Sequence, residues 1–208
     1  MANKSKVTKT KFRRDAELLY EIGCLRNMQR TWQQFNNPDA ANIAEHIYRV
    51  MWIASMLARY EKANEEKVLK IAMAHDIAES RTGDVNYISR QYTERREMEA
   101  FKDMMAGTVF EAELIKLLEE YEECATLEAK IVKDADNLDV ELELAEFRAK
   151  GNLLGAVLAG RRDKVVYPKL RTKTAKEFWQ AIKKVDPHDW HHLSPQNRFN
   201  AGDWKGKR

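Results

Sequence analysis

Between residues 42 and 62 the apolar positions Ile43, Ile47, Val50, Ala54 and Leu57 recur in alternating steps of four and three. Such steps return to one face of an α-helix, so the segment predicts an amphipathic helix with a single buried stripe. The same reading along the chain predicts helices near 13–30, 42–62, 65–80, 93–120, 126–150 and 174–185. Start and stop signals divide them. Pro38-Asp39 interrupts the chain before Asn42, and Glu45 three residues on resembles a capping box. Asn64 with Glu65 and Glu66 opens the next helix, and Thr82-Gly83-Asp84 ends it. Thr126 opens and Gly151 closes the fifth, and Thr174 with Glu177 repeats the capping-box pattern before the sixth. No stretch alternates as a half-buried strand would, and there is no internal repeat. The expected class is all-α, a helical bundle of about six or more helices.

From Asp186 the pattern changes. Pro187, Pro195, three histidines (His188, His191, His192) and two tryptophans occur without helical period. The expectation is a domain over 1–165 followed by an irregular extension over 166–208 that packs on the body or on a partner subunit. The three histidines lack nearby carboxylate or cysteine partners in a ligand pattern, and a polar packing role is expected of them rather than a second metal site.

Composition narrows the function classes. At 208 residues, one domain with a substantial core is expected. A formal net charge of +3, much of it in Lys4–Arg14 and Lys205–Arg208, is too small for a nucleic-acid-tracking surface. No run approaches the roughly 20 apolar residues of a membrane span, and the basic N-terminus has no apolar core of a secretory signal. Cys24 and Cys124 have no metal or redox spacing and are expected to be reduced thiols. These features predict a cytoplasmic protein with neither a nucleic-acid nor a membrane partner.

The candidate chemistry centres on His75-Asp76, set inside the apolar segment from Val68 to Ala78. Burying both groups is costly unless something satisfies them, and a cation does so. His46 lies in the first turn of its own predicted helix, and carboxylates at Asp134, Asp136 and Asp139 lie downstream. Two imidazoles and two carboxylates from three helices make a divalent-metal site with open positions, the signature of an enzyme. Glu79 is one helical turn from His75 and borders the same cavity. A lone core histidine is more often a hydrogen-bonded structural residue. The combination of His, His-Asp and Asp on three helices is much less easily explained that way.

Those residues resemble the H…HD…D signature of the HD-domain metal-dependent phosphohydrolases. The string from His75 to Asp84 is similar to the HD-x-x-E-x-x-x-G-D pattern of the branch that contains the bacterial 5′-deoxynucleotidases and their archaeal and eukaryotic HD-domain relatives. Glu45-His46, Lys133-Asp-Ala-Asp136 and Leu25–Trp32 resemble that branch too, over roughly residues 15 to 150. The resemblance implies that His46, His75, Asp76 and Asp136 hold one divalent transition metal (Mn, Co, Fe, Ni or Zn). It selects Asp136 through the Lys-Asp-Ala-Asp pattern, with Asp139 as second choice. It implies Glu79 and Asp84 as acid and base near the leaving oxygen, Arg30 on the 5′-phosphate, Trp32 at the sugar, and a homodimer. Bound metal lowers the pKa of coordinated water and polarises a phosphoryl oxygen, and a guanidinium offers phosphate a bidentate partner.

The implied function is a metal-dependent phosphomonoesterase that releases inorganic phosphate from nucleoside 5′-monophosphates, deoxyribonucleotides foremost. One departure concerns the sugar: Thr31 separates Arg30 from Trp32, where the bacterial enzymes place the two side by side. Two rivals remain. An alarmone pyrophosphohydrolase or deoxynucleoside triphosphohydrolase needs further cations, which Arg161, Arg162, Lys164 and Lys169 supply only if the C-terminal region folds over the site. A non-catalytic metal-binding scaffold has no need of Glu79, Asp84 and Arg30 alongside the ligands. Bland alternatives also stand at single positions: Arg30 at a helix end on the surface, Glu79 paired with Arg81, and Asp84 closing a loop.

Overall fold

The structure is a computed structural model, described here for residues 2–37 and 39–192, with side chains from residue 12 onward. Pro38, Pro195 and the rest of 193–208 lie outside the described residues. The helices are α1 (Ala2–Gly23), α2 (Ile43–Glu61), α3 (Glu65–Ala74), α4 (Glu79–Thr82), α5 (Glu97–Met105), α6 (Glu111–Glu122), α7 (Leu127–Ala149), α8 (Leu153–Val165), α9 (Lys173–Ile182) and α10 (Asp189–His192). Short 3-10 turns occupy Cys24–Asn27, Thr31–Phe35, Ser89–Gln91 and Tyr167–Lys169. Among the described residues there is no strand, only one isolated bridge between Gln29 and Asn42. The protein is an all-α helical bundle. No described helix is long and apolar enough to cross a membrane.

The central pair is α2 against α7, with α3 packed on both and α5, α6, α8 and α9 around them. The stripe of α2 is buried throughout, from Ile43 to Leu57, against Val68 and Ile71 of α3 and Ile131, Ala135 and Leu138 of α7. The capping box forms as the sequence predicts: the Asn42 side chain accepts from Glu45 N at 2.9 Å, and Glu45 accepts from Asn42 N at 3.0 Å. Asn64 and Thr126 likewise cap α3 and α7.

Four expectations are corrected. The helix predicted over 13–30 ends at Gly23, because Met28 and Arg30 pair with the chain before α2: Ile43 N donates to Met28 O and Arg30 N to Ala41 O, both at 2.9 Å. The helix predicted over 65–80 ends at Ala74 and resumes at Glu79. The helix predicted over 93–120 starts at Glu97 and breaks between α5 and α6 at Gly107, whose φ is +74°. Arg14 of α1 donates to Met104 O at 2.9 Å and Ala106 O at 3.0 Å, capping the carbonyls left open at that break. The cap of α9 is Thr172 rather than Thr174, because Asp134 grips the Arg171 and Thr172 amides and starts the helix two residues earlier.

Helix α8 was not expected at all. It buries little beyond Gly155 and Ala159 while Leu153 and Val157 stay exposed, so it carries no apolar stripe to read. Gly155 lets it approach α7 closely: a Cβ there would stand 2.3 Å from Leu144 O. Beyond residue 165, Leu170, Ala175, Trp179 and Ile182 enter the same core as α2 and α3. Cys24 and Cys124 are free thiols. His188 and His191 are exposed, with Nδ1 of one 3.1 Å from Nε2 of the other.

Candidate active site

The capped N-terminus of α2 places His46 in its first turn, and the end of α3 delivers His75-Asp76. Mid-α7 delivers Asp136. His46 Nδ1 lies 2.6 Å from Asp139 Oδ2, and His75 Nδ1 lies 2.8 Å from Ala72 O. Carboxylate and carbonyl oxygens accept, so each Nδ1 carries a proton and each Nε2 is the ring atom that a cation would engage. Around those Nε2 atoms stand Asp76 Oδ2, 3.3 Å from His46 Nε2 and 3.4 Å from His75 Nε2, and Asp136 Oδ1, 3.3 Å from His46 Nε2.

Both Nε2 atoms are buried without a well-formed hydrogen bond. One donor atom each from His46, His75 and Asp136 lies within 4.8 Å of the others, and no other such cluster occurs among the described residues. Donors sharing a cation at bond lengths of about 2.1 Å are separated by about 3.0–3.4 Å. The orphaned nitrogens and their spacing therefore fit a divalent transition cation.

Charge in the site is strongly organised. Burial works against ionised Asp76, but His75, His46 and Arg30 hold its carboxyl well below the usual carboxylate range. Asp136 is half-buried; burial works against its charge, but its contact with His46 prevails and lowers its pKa. Burial and Arg30 oppose charge on His46, yet the carboxylates of Asp136, Asp139 and Asp76 around its ring raise its pKa well above the ordinary value in the metal-free protein. Glu79 behaves oppositely. Burial, then the charges of Asp76 and Asp84, push its carboxyl up to about 9.

These groups open onto a cavity of about 400 Å³, within the range of small-molecule sites. Arg30, Trp32, Asp76, Glu79, Asp84 and Asp136 line it. Arg30 is not on the surface: it precedes the 3-10 turn Thr31–Phe35, but it is 7% exposed and held by the extended pairing of residues 28–30. Its Nη1 is 3.7 Å from Asp76 Oδ2, its Nε is 3.9 Å from Asp84 Oδ2, and that Nε donates no hydrogen bond within the protein. Asp84 accepts from Thr31 N at 2.8 Å, which ties the Arg30–Thr31 arm to the site. Trp32 packs with Ala40, Val140, Leu144 and Phe147 behind the cavity wall.

The Glu79–Arg81 pairing does not form. Arg81 bonds Glu21 at 2.5 and 2.9 Å, while Glu79 faces Arg95 at 3.6 Å. Of the three carboxylates on α7, Asp134 points away and accepts from Arg171 N, Thr172 N and Thr172 Oγ1. Asp139 turns to the back of His46. Sequence reasoning missed Arg95, Tyr121 and Lys133, all in the cavity wall. Lys133 had a signal, since it precedes Asp136 by three residues on the same helix face. Arg95 sits in the charged run Thr93–Glu97, where nothing marks one residue as inward-facing.

Known proteins are similar to this chain in sequence and in fold. The sequence model of the family described as HD domain matches residues 22–179. The 5′-deoxynucleotidase hdd1 of Schizosaccharomyces pombe is 35% identical over 144 residues, 63% of this chain and 72% of that protein. The 5′-deoxynucleotidase HDDC2 of Homo sapiens is 31% identical over 137 residues, 63% of this chain and 67% of that one. Among solved structures, a conserved hypothetical protein from Pyrococcus furiosus is similar with a TM-score of 0.68 and 25% identity, over 82% of this chain and 99% of its own. A predicted metal-dependent phosphohydrolase from Magnetospirillum magnetotacticum MS-1 has the same fold, with a TM-score of 0.68 at 22% identity over 84% of this chain and 94% of its own. With the family model spanning most of its length and the histidine–aspartate constellation assembled from α2, α3 and α7, this chain belongs to the HD domain family.

Proposed function

We propose that the protein is a metal-dependent phosphomonoesterase that hydrolyses nucleoside 5′-monophosphates, deoxyribonucleotides foremost, to nucleoside and inorganic phosphate. The observation that carries this is Arg30, a buried guanidinium in the cavity wall whose Nε donates no hydrogen bond and whose nearest carboxylate oxygens, on Asp76 and Asp84, stand 3.7 and 3.9 Å away. Arg95 faces Glu97 at 2.5 Å, Lys133 faces Glu122 at 3.3 Å, and Arg90 donates to Val85 O at 2.8 Å. None of Arg161, Arg162, Lys164 and Lys169 lines the cavity, and Arg162 is tied to Glu141 and Asn137 O. Arg95 Nη1 also lacks a hydrogen bond, but its charge is met closely by Glu97, which leaves Arg30 as the guanidinium suited to one phosphate and counts against di- and triphosphate substrates.

His46, His75, Asp76 and Asp136 would hold the cation. A divalent ion held there (Mn, Co, Fe, Ni or Zn) would lower the pKa of coordinated water and polarise a phosphoryl oxygen. Arg30 binds the non-bridging phosphate oxygens and stabilises their charge as the phosphorus–oxygen bond breaks. Glu79, whose carboxyl pKa is raised by burial and then by Asp76 and Asp84, is the group placed to give a proton to the departing 5′-oxygen. Asp84, engaged by Thr31 N, holds the Arg30 arm in place. Trp32 closes the sugar end.

We further propose a cytoplasmic homodimer. The two free cysteines are in keeping with a reducing compartment, and the outer face of α2 carries Tyr48, Trp52 and Tyr60, each more than half exposed, for a second copy to cover. Metal-stripped protein resupplied with Mn²⁺ or Co²⁺ tests the activity on deoxy- and ribonucleoside 5′-mono-, di- and triphosphates. Phosphate from monophosphates, lost in Asp76→Ala, is the expected result. Pyrophosphate or tripolyphosphate release would refute it, as would no release from any substrate with metal bound.

A further inference from the structure

Asp139 is 2% exposed and lies three residues from Asp136 on the same face of α7, yet it turns to the far side of His46. Its Oδ2 accepts a hydrogen bond from His46 Nδ1 at 2.6 Å, and its Oδ1 accepts from Arg49 Nε. Arg49 continues outward, with Nη1 2.6 Å from Glu146 Oε1 and Nη2 3.5 Å from Asp139 O. The side chains of Arg49 and Glu146 are 30% and 43% exposed, so the chain of contacts runs from the candidate metal site to a groove bordered by Tyr48 and Trp52.

An imidazole with one free nitrogen holds a cation well only if its plane and tautomer are fixed, and the partner on its other nitrogen does both. Asp139 supplies that partner. A carboxylate this buried needs a counter-charge, and Arg49 provides it through Nε on Oδ1, with Nη2 on the Asp139 main-chain carbonyl fixing the guanidinium beside it. Glu146 in turn orients Arg49. We propose that Asp139, Arg49 and Glu146 are positioning residues, a relay that sets how tightly His46 holds the divalent cation. This rests on the metal reading above.

The test is a Co²⁺ titration of chelator-stripped protein, following Kd and the visible absorption of bound Co²⁺. Asp139→Asn should weaken Kd about 10–100-fold and alter the band, as loss of such outer partners does. Arg49→Gln should fall between Asp139→Asn and wild type, with Glu146→Gln nearest wild type. Asp134→Asn serves as the control, being equally buried on α7 but facing α9. It should lose thermal stability and keep the wild-type Kd and spectrum.

Wild-type Kd and spectrum in both Asp139→Asn and Arg49→Gln would overturn the relay alone. Equal weakening in Asp134→Asn would overturn it too, by tracing the effect to general instability. Wild-type protein that binds no Co²⁺ would overturn the metal reading and the relay together. Should Asp139→Asn fail to fold, the half-exposed Arg49 and Glu146 variants decide the matter.

Discussion

Replacing Arg30 by alanine gives the sharpest test of the proposed chemistry. The guanidinium is almost fully buried, it stands 3.7 Å from Asp76 and 3.9 Å from Asp84, and its Nε is unspent. Burial opposes its charge, but Asp84 and Asp76 outweigh that and hold it firmly protonated. A fixed cationic donor facing developing charge in a water-poor wall contributes about 3–4 kcal/mol to the transition state. At about 1.4 kcal/mol per tenfold, Arg30→Ala should lower kcat/KM for deoxyadenosine 5′-monophosphate by about 10²–10³. Arg30→Lys keeps the charge but not the planar fork, so a loss of about 10–10² is expected. The metal should not be lost with the arginine. A positive group near Asp76 repels a cation bound there, so Co²⁺ should bind Arg30→Ala at least as tightly as wild type. Phosphate release and a parallel Co²⁺ titration measure both arms. A folded Arg30→Ala protein within about threefold of wild-type kcat/KM would refute the phosphate role. A loss of activity matched by weaker Co²⁺ binding would show that Arg30 shapes the metal site instead.

Further outcomes concern stability. Folded metal-free protein keeps a proton on Glu79 up to about pH 9, because of burial and then Asp76 and Asp84, while the unfolded chain releases it near 4.5. The folded state therefore binds the extra proton between those values, and stability from this group falls as pH rises from about 4.5 to about 9. Urea unfolding at pH 5, 7 and 9 should show that fall, flattened in Glu79→Gln; equal slopes in both proteins would contradict it. Asp134→Ala strands the Arg171 and Thr172 amides and the Thr172 hydroxyl, and should cost about 2–4 kcal/mol by urea unfolding. Gly155→Ala drives a Cβ against Leu144 O and the Arg148 side chain, and should cost about 1–3 kcal/mol. A variant as stable as wild type would show that α8 is free to shift.

The legible parts of this protein were local. The stripe of α2, the caps at Asn42, Asn64 and Thr126, and the length of α7 all follow from spacings within one or two helical turns, where side chain and backbone meet whatever the rest of the chain does. Gly107 was a legible break that the long apolar pattern over 93–120 obscured. His46 and the pair His75-Asp76 stand out in the sequence because imidazole and carboxylate are chemically conspicuous in apolar helices, whereas the choice of Asp136 over Asp134 and Asp139 rests on the resemblance to the HD-domain phosphohydrolases.

Tertiary structure decided the rest. Whether Asp134, Asp136 or Asp139 faces the cation depends on which helices flank α7: α9 takes Asp134, and the back of His46 takes Asp139. The end of α3 at His75 has no breaker in the sequence. The imidazole itself takes the Ala72 carbonyl as it turns into the site. Arg30 leaves its predicted helix because residues 28–30 find backbone partners before α2. Periodicity and capping are short-range and are written into neighbouring residues. A carboxylate's partner is set by elements 40 to 100 positions away, and only the packed bundle brings those within hydrogen-bond reach.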